Sequence, residues 1–127
     1  MLFARNSLTK MKIGFLTGAR SEYGVMRQLI QRVSEDSFFT LVIYATGMHF
    51  QQKYGLTINE LKADNFGLIV EMPCYTEEQR DKKDDFVALI DVISAGLISN
   101  RPDILYLIGD RLEAYAGAFP HCTLCHQ

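Results

Sequence analysis

Three segments of this 127-residue chain set glycine and charged or polar side chains directly behind short apolar runs. In Thr17-Gly18-Ala19-Arg20-Ser21-Glu22-Tyr23-Gly24 the glycines allow close backbone approach to a ligand, and the Arg20 guanidinium can fork onto a phosphate through two N–H groups. The same residues also read as a plain glycine turn after a strand. Gly47-Met48-His49-Phe50 offers an imidazole that either donates to a substrate oxygen and shuttles a proton near neutral pH, or is simply structural. Gly109-Asp110-Arg111 places a carboxylate beside a guanidinium at a helix start. Asp110 is there either an N-cap or a general acid/base tuned by partial burial and by arginine, and Arg111 either a surface residue or a phosphate ligand. None of these segments is a GxGxxG or a P-loop, so the dinucleotide and ATP signatures are absent. Cys122-Thr-Leu-Cys125-His126 has the spacing of a c-type haem attachment. It lacks the second cysteine pair of a structural zinc site, and the chain shows no export signal, so neither metal nor haem is expected.

The elements that would position these groups follow from hydrophobic period. Lys12 to Thr17 reads as a strand, followed by a helix marked by Val25, Met26, Leu29, Ile30 and Val33. Phe38 to Thr46 is a second buried strand, 48–57 a polar loop, Ile58 to Ala63 a short helix and Leu68 to Met72 a shorter third strand. The charged run 76–85 reads as a solvated loop and helix start, with Phe86, Leu89, Ile90, Ile93 and Leu97 marking one face of the helix until Asn100 and Pro102 end it. Asp103 to Ile108 is then a continuous apolar strand, and 112–119 opens another helix. Strands and helices in alternation, with continuously apolar strands, predict an α/β domain: a Rossmann-like, doubly wound parallel sheet covered on both faces. In such sheets ligands bind outside the carboxyl ends of the strands, where all three segments fall.

Composition narrows the function classes. With 48% hydrophobic and 22% charged residues the chain is an ordinary globular domain, large enough to bury a core without disulfides. Thirteen Lys+Arg against fifteen Asp+Glu are scattered, so no nucleic-acid footprint is present. No apolar run approaches the roughly 20 residues of a membrane span, and three cysteines make no disulfide framework, which together predict a cytoplasmic protein. Residues 1–10 lack periodicity and read as a leader or alternative start, 11–119 as a partial domain, and 120–127 as an aberrant tail.

Together, Leu16-Thr17-Gly18-Ala19-Arg20-Ser21-Glu22-Tyr23-Gly24, Ala45-Thr46-Gly47-Met48-His49 with Tyr54-Gly55-Leu56-Thr57, and Ile108-Gly109-Asp110-Arg111-Leu112-Glu113 resemble the hydrolysing UDP-N-acetylglucosamine 2-epimerases, in order and separation. The likeness is to the bacterial sialic-acid-pathway branch. The resemblance implies the first domain of a GT-B enzyme, two Rossmann-like domains with the active site between them. It implies a UDP-sugar substrate, elimination of UDP to a 2-acetamidoglucal, and hydration to N-acetylmannosamine, with no metal or nicotinamide cofactor. It also implies a homo-oligomer for the full-length enzyme. By the same resemblance Asp110 is the acid/base carboxylate, Arg20 and Arg111 contact the UDP phosphates, Gly24 lies against the nucleotide, and His49 matches a family histidine at the substrate. After Phe119 the family continues to a His-x-x-Gly-Gly-Glu segment, whereas this chain reads Pro120-His-Cys-Thr-Leu-Cys-His-Gln127. That tail suggests a shifted reading frame or truncated gene, and a chain inactive on its own. The competing expectation is a stand-alone α/β module that binds a nucleotide or partner without catalysis.

Overall fold

In the computed structural model, residues 10–74, 82–109 and 113–118 are described, with 82–85 described by backbone alone. Asp110, Arg111, the first half of the charged run, most of the expected leader and the whole expected tail lie outside them.

Strand β1 (Met11–Thr17) is apolar on both faces and pairs on both sides, in parallel with β2 (Phe39–Thr46) and with β4 (Ile104–Tyr106). Strand β3 (Leu68–Met72) pairs in parallel with β2, so the sheet order is β3-β2-β1-β4. A parallel pair needs a crossover, and each crossover here contains a helix. Helix α1 (Arg20–Ser34) links β1 to β2, α2 (Ile58–Asp64) links β2 to β3, and α3 (Lys82–Ser99) links β3 to β4. Alternation along the strands splits the core in two. Phe15, Leu41, Ile43 and Ala45 pack with Met26 and Ile30 of α1 and Leu61 of α2, whereas Leu16, Val42 and Tyr44 pack with Leu89, Ile93 and Leu97 of α3 and with Ala116. The predicted doubly wound architecture is therefore present, with α1 and α2 on one face and α3 and the helical residues 113–118 on the other.

Three details differ from the sequence expectation. On α1 the buried apolar set is Tyr23, Met26, Ile30 and Val33, with Glu22 buried beside them, while Val25 and Leu29 are exposed. The flank bearing Tyr23 and Arg27 meets α2, which turns Val25 and Leu29 to the opposite flank. The expected loop 48–57 contains two 3-10 turns, Gly47–Phe50 and Gln52–Tyr54, before Gly55 and Leu56 reverse the chain with φ of 84° and 47°. Strand β4 is three residues long rather than six, and Ile104 and Tyr106 are exposed. Among the described residues it pairs only with β1.

The entry of β4 is nevertheless fixed. The Lys12 N–H donates to the Asp103 carboxylate at 2.7 Å, and the Asp103 N–H donates to the Lys12 carbonyl at 2.8 Å. Beneath the sheet the Tyr44 hydroxyl donates to the Asn100 carbonyl at the end of α3, and burial pushes the phenol pKa up to about 12. A Cβ on Gly14 would lie 2.6 Å from the Tyr44 ring, so glycine is what lets β1 and the ring pass each other.

Helix α3 is apolar on most of its surface, so burial rather than residue type must decide which positions hold it. Leu97 is 1% exposed and Ile98 is 64% exposed. Urea unfolding should show Leu97→Ala costing about 2–5 kcal/mol, the range for a buried leucine, and Ile98→Ala costing under about 1 kcal/mol. Equal losses at the two positions would place the helix on a different face.

Candidate functional site

The order β3-β2-β1-β4 reverses direction at β1: the chain moves outward through β2 and β3, then crosses back to β4. That reversal opens a crevice at the carboxyl ends of β1 and β4, the usual ligand position in an open α/β sheet. Gly18 and Ala19 leave β1 there, and Gly109, with φ of 83°, turns the chain beyond β4. The loops after β1 and β2 are joined by the Met48 N–H, which donates to the Gly18 carbonyl at 2.8 Å.

One buried carboxylate sits between these loops. A Cβ on Gly18 would lie 2.6 Å from Glu113 Cγ and 2.8 Å from its Cδ, and one on Gly47 would lie 3.0 Å from Glu113 Oε1. Gly47 also carries a φ of 63°, where a side chain is strained in any case. The glycines at the ends of β1 and β2 are thus the space that Glu113 fills. Sequence reasoning did not single out Glu113 as a site residue. The signal available was a carboxylate in the same motif as Asp110, three residues on, together with two glycines more than 60 residues earlier that no spacing rule connects to it.

His49 is fully buried below the same loops. The Thr17 hydroxyl donates its one proton to the Ala19 carbonyl at 3.1 Å, so toward His49 it accepts. His49 therefore carries its proton on Nε2 and donates it to Thr17 Oγ1 at 2.8 Å, while the Thr57 hydroxyl donates to Nδ1, also at 2.8 Å. Both ring nitrogens are used inside the chain, and the ring ties the end of β1 to the start of α2. Burial holds its pKa down to about 4, against the smaller opposing pull of the Glu60 carboxylate.

Arg20 and Gly24 come together. They line one groove of about 780 Å³ between α1 and α2, with Tyr23, Arg27, Glu60 and Asp64 among the other walls. Two carboxylates one turn apart on α2 face α1 across it. Asp64 accepts two hydrogen bonds from Arg27, at 3.0 Å from Nε and 2.9 Å from Nη2, and a third from the Tyr23 hydroxyl. The bonds from Arg27 and then Tyr23 hold the Asp64 pKa below the ordinary carboxylate range, and burial, followed by the hydrogen bond to Asp64 and then its charge, raises that of the Tyr23 phenol. Glu60 accepts from Arg20 Nε at 3.1 Å. No atom lies within 4 Å of a Cβ built on Gly24, so nothing inside the described structure requires glycine at this helical position. His49 does not line the groove, and Asp110 and Arg111 lie outside the described residues.

A parallel sheet in this order, wound on both faces and with its polar loops gathered at the reversal, is the architecture of a Rossmann-like half-domain. A family model described as UDP-N-acetylglucosamine 2-epimerase matches residues 31–123, and the chain belongs to that family. A UDP-N,N'-diacetylbacillosamine 2-epimerase (hydrolyzing) of Legionella pneumophila is 33% identical over 113 residues, covering 84% of this chain and 29% of that protein. The polysialic acid biosynthesis protein P7 of Escherichia coli is 30% identical over 109 residues, covering 84% of this chain and 28% of that protein. The crystal structure of UDP-GlcNAc 2-epimerase from Neisseria meningitidis bound to UDP-GlcNAc superposes with a TM-score of 0.75 at 16% identity, covering 91% of this chain and 30% of that one. The fold is thus that of the first domain of a GT-B enzyme, and the chain spans about three tenths of the length of these relatives. Among the described residues no helix is long and apolar enough to cross a membrane.

The buried His49 makes a pH prediction with a definite sign. A histidine of ordinary pKa 6.5 when unfolded and about 4 when folded binds its proton preferentially in the unfolded state between those values. Its contribution is fully present above about pH 6.5 and is lost as pH falls, amounting to about 2 kcal/mol between pH 7 and pH 5. Urea unfolding of the wild type and His49→Gln at both pH values should show that loss in the wild type beyond whatever the variant loses. Parallel losses would refute the buried neutral ring.

Proposed function

We propose that the chain supplies most of the first domain, residues 11–119, of a hydrolysing UDP-sugar 2-epimerase. The observation that carries this reading is the family match over residues 31–123. It is supported by the convergence of Arg20 and Gly24 on one groove between α1 and α2. The substrate proposed is UDP-N-acetylglucosamine. A base removes the proton from sugar C2 as the C1–O bond breaks, and UDP departs with the bonding pair to leave a 2-acetamidoglucal. Water then adds across the C1=C2 double bond, hydroxyl to C1 and proton to the opposite face of C2, to release N-acetylmannosamine. Asp110 serves as acid/base carboxylate, and Arg20 with Arg111 supplies the fixed positive charge that the leaving diphosphate needs. His49 acts on substrate binding through the turn it braces. The name of the Legionella pneumophila relative supports the hydrolysing subtype, and that of the Escherichia coli relative supports a role in sialic or related nonulosonic acid synthesis, which is proposed to take place in the cytoplasm. The full-length enzyme is proposed to be a homo-oligomer.

Gly24 separates ligand binding from stability. A glycine inside a helix costs about 0.5–1 kcal/mol relative to alanine. Since a Cβ there meets nothing, Gly24→Ala should raise the unfolding free energy by about that amount, measured in urea, while weakening UDP binding measured by NMR titration. A variant that gains stability and binds UDP as the wild type does would remove Gly24 from the site.

Activity is tested by grafting residues 11–118 in place of the matching third of the Legionella pneumophila relative and following UDP release from UDP-N-acetylglucosamine. We expect turnover by the graft, none by the 127-residue chain, and a loss of about a hundredfold or more in kcat for Asp110→Asn. Undiminished turnover by that variant would take the acid/base role away from Asp110.

A further inference from the structure

The two arginines of the groove are held in different ways. Arg27 presents Nε and Nη2 together to Asp64, lies with its guanidinium 5.3 Å from the centre of the Phe66 ring, and so has its fork consumed. Arg20 is bound to Glu60 through Nε alone. Its side chain is 72% exposed and that of Glu60 50% exposed, so the pair lies in water, where ion pairs add little to folding stability. A contact of this kind restricts where the guanidinium points while leaving both terminal amino groups for another acceptor. The partner is itself held: Glu60 lies one turn before Asp64 on α2, and Asp64 is fastened to α1 by Arg27 and Tyr23.

We propose that Glu60 is a positioning residue for Arg20, gripping it at Nε so that its terminal amino groups stand ready for a diphosphate before the ligand arrives. The proposal rests on the reading of Arg20 as a diphosphate ligand. Physically it is preorganisation: the contact with Glu60 narrows the rotamers of the long side chain in the free protein, and binding has that much less ordering to supply. Glu60 would never touch the ligand, and its removal should change affinity without changing the fold.

The test uses the 127-residue chain, labelled with 15N, at pH 7.5, where His49 is neutral. Arg20→Ala, Glu60→Ala and Glu60→Gln are compared with the wild type in their thermal midpoints, in the arginine Nε–H resonances and in titration with UDP. In Glu60→Ala the Arg20 Nε–H signal should broaden through exchange with water, and UDP affinity should fall about threefold to tenfold at an unchanged thermal midpoint. Glu60→Gln keeps an amide oxygen that accepts from Nε, and should recover most of both signals. If Arg20→Ala weakens UDP binding but Glu60→Ala leaves the affinity and the Nε–H signal as they are, the positioning role is overturned while the phosphate reading of Arg20 stands. If Arg20→Ala leaves UDP affinity unchanged, or the wild type shows no binding, the phosphate reading fails and this proposal with it.

Discussion

Parallel pairing of β1 on both its sides is the constraint on which the rest of the chain depends. Strands that run the same way must be joined by crossovers, and the crossovers carry their loops to one edge of the sheet. With β2 on one side and β4 on the other, the links out of β1 and back to it must use opposite faces, which is why α1 and α2 share one core and α3 the other. The crevice at the reversal is a result of that winding, and no residue needs to be selected to create it. What the residues decide is how the crevice is furnished.

The furnishing is done largely by small residues making way for large or charged ones. Gly18 and Gly47 yield space to Glu113, and Gly14 yields to Tyr44. Threonines do the corresponding work for His49: Thr17 ends β1, Thr57 precedes α2, and the neutral ring spans them, so that a strand and a helix 40 residues apart are tied by one imidazole. The charged pairs lie outside this layer. Asp64 joins α1 to α2 at the rim of the core, its carboxylate shared between the half-exposed Arg27 and the hydroxyl of the buried Tyr23.

Much of the fold was legible because it is written in local period. The limits of β3, the apolar face of α3 and the turn at Gly18 follow from runs and spacings a few residues long. The errors come from what local period does not carry. Val25 and Leu29 fit a helical stripe as well as Tyr23 and Met26 do, and only the position of α2 beside α1 selects between them. The apolar run 103–108 predicts a buried strand, but burial depends on neighbours on both sides, and among the described residues β4 has one. Arg20 and Gly24 could be picked out from the segment they share, because one helix places them on one groove. Glu113 could not, since its meaning comes from glycines at Gly18 and Gly47. Glu60 belongs with it: nothing in its own helix shows that it reaches back across 40 residues to an arginine.

The bond between the Lys12 N–H and Asp103 closes a loop of 91 residues. A chain emerging from the ribosome can pair β1 with β2 as soon as residue 46 is clear, but the other side of β1 stays bare until α3 and the start of β4 have been made. Through that interval β1 is an edge. High contact order of this kind slows folding and lengthens the time in which an unpaired apolar strand is open to neighbouring chains. The short β4, pairing through three residues, is thus the piece on which closure of β1 waits.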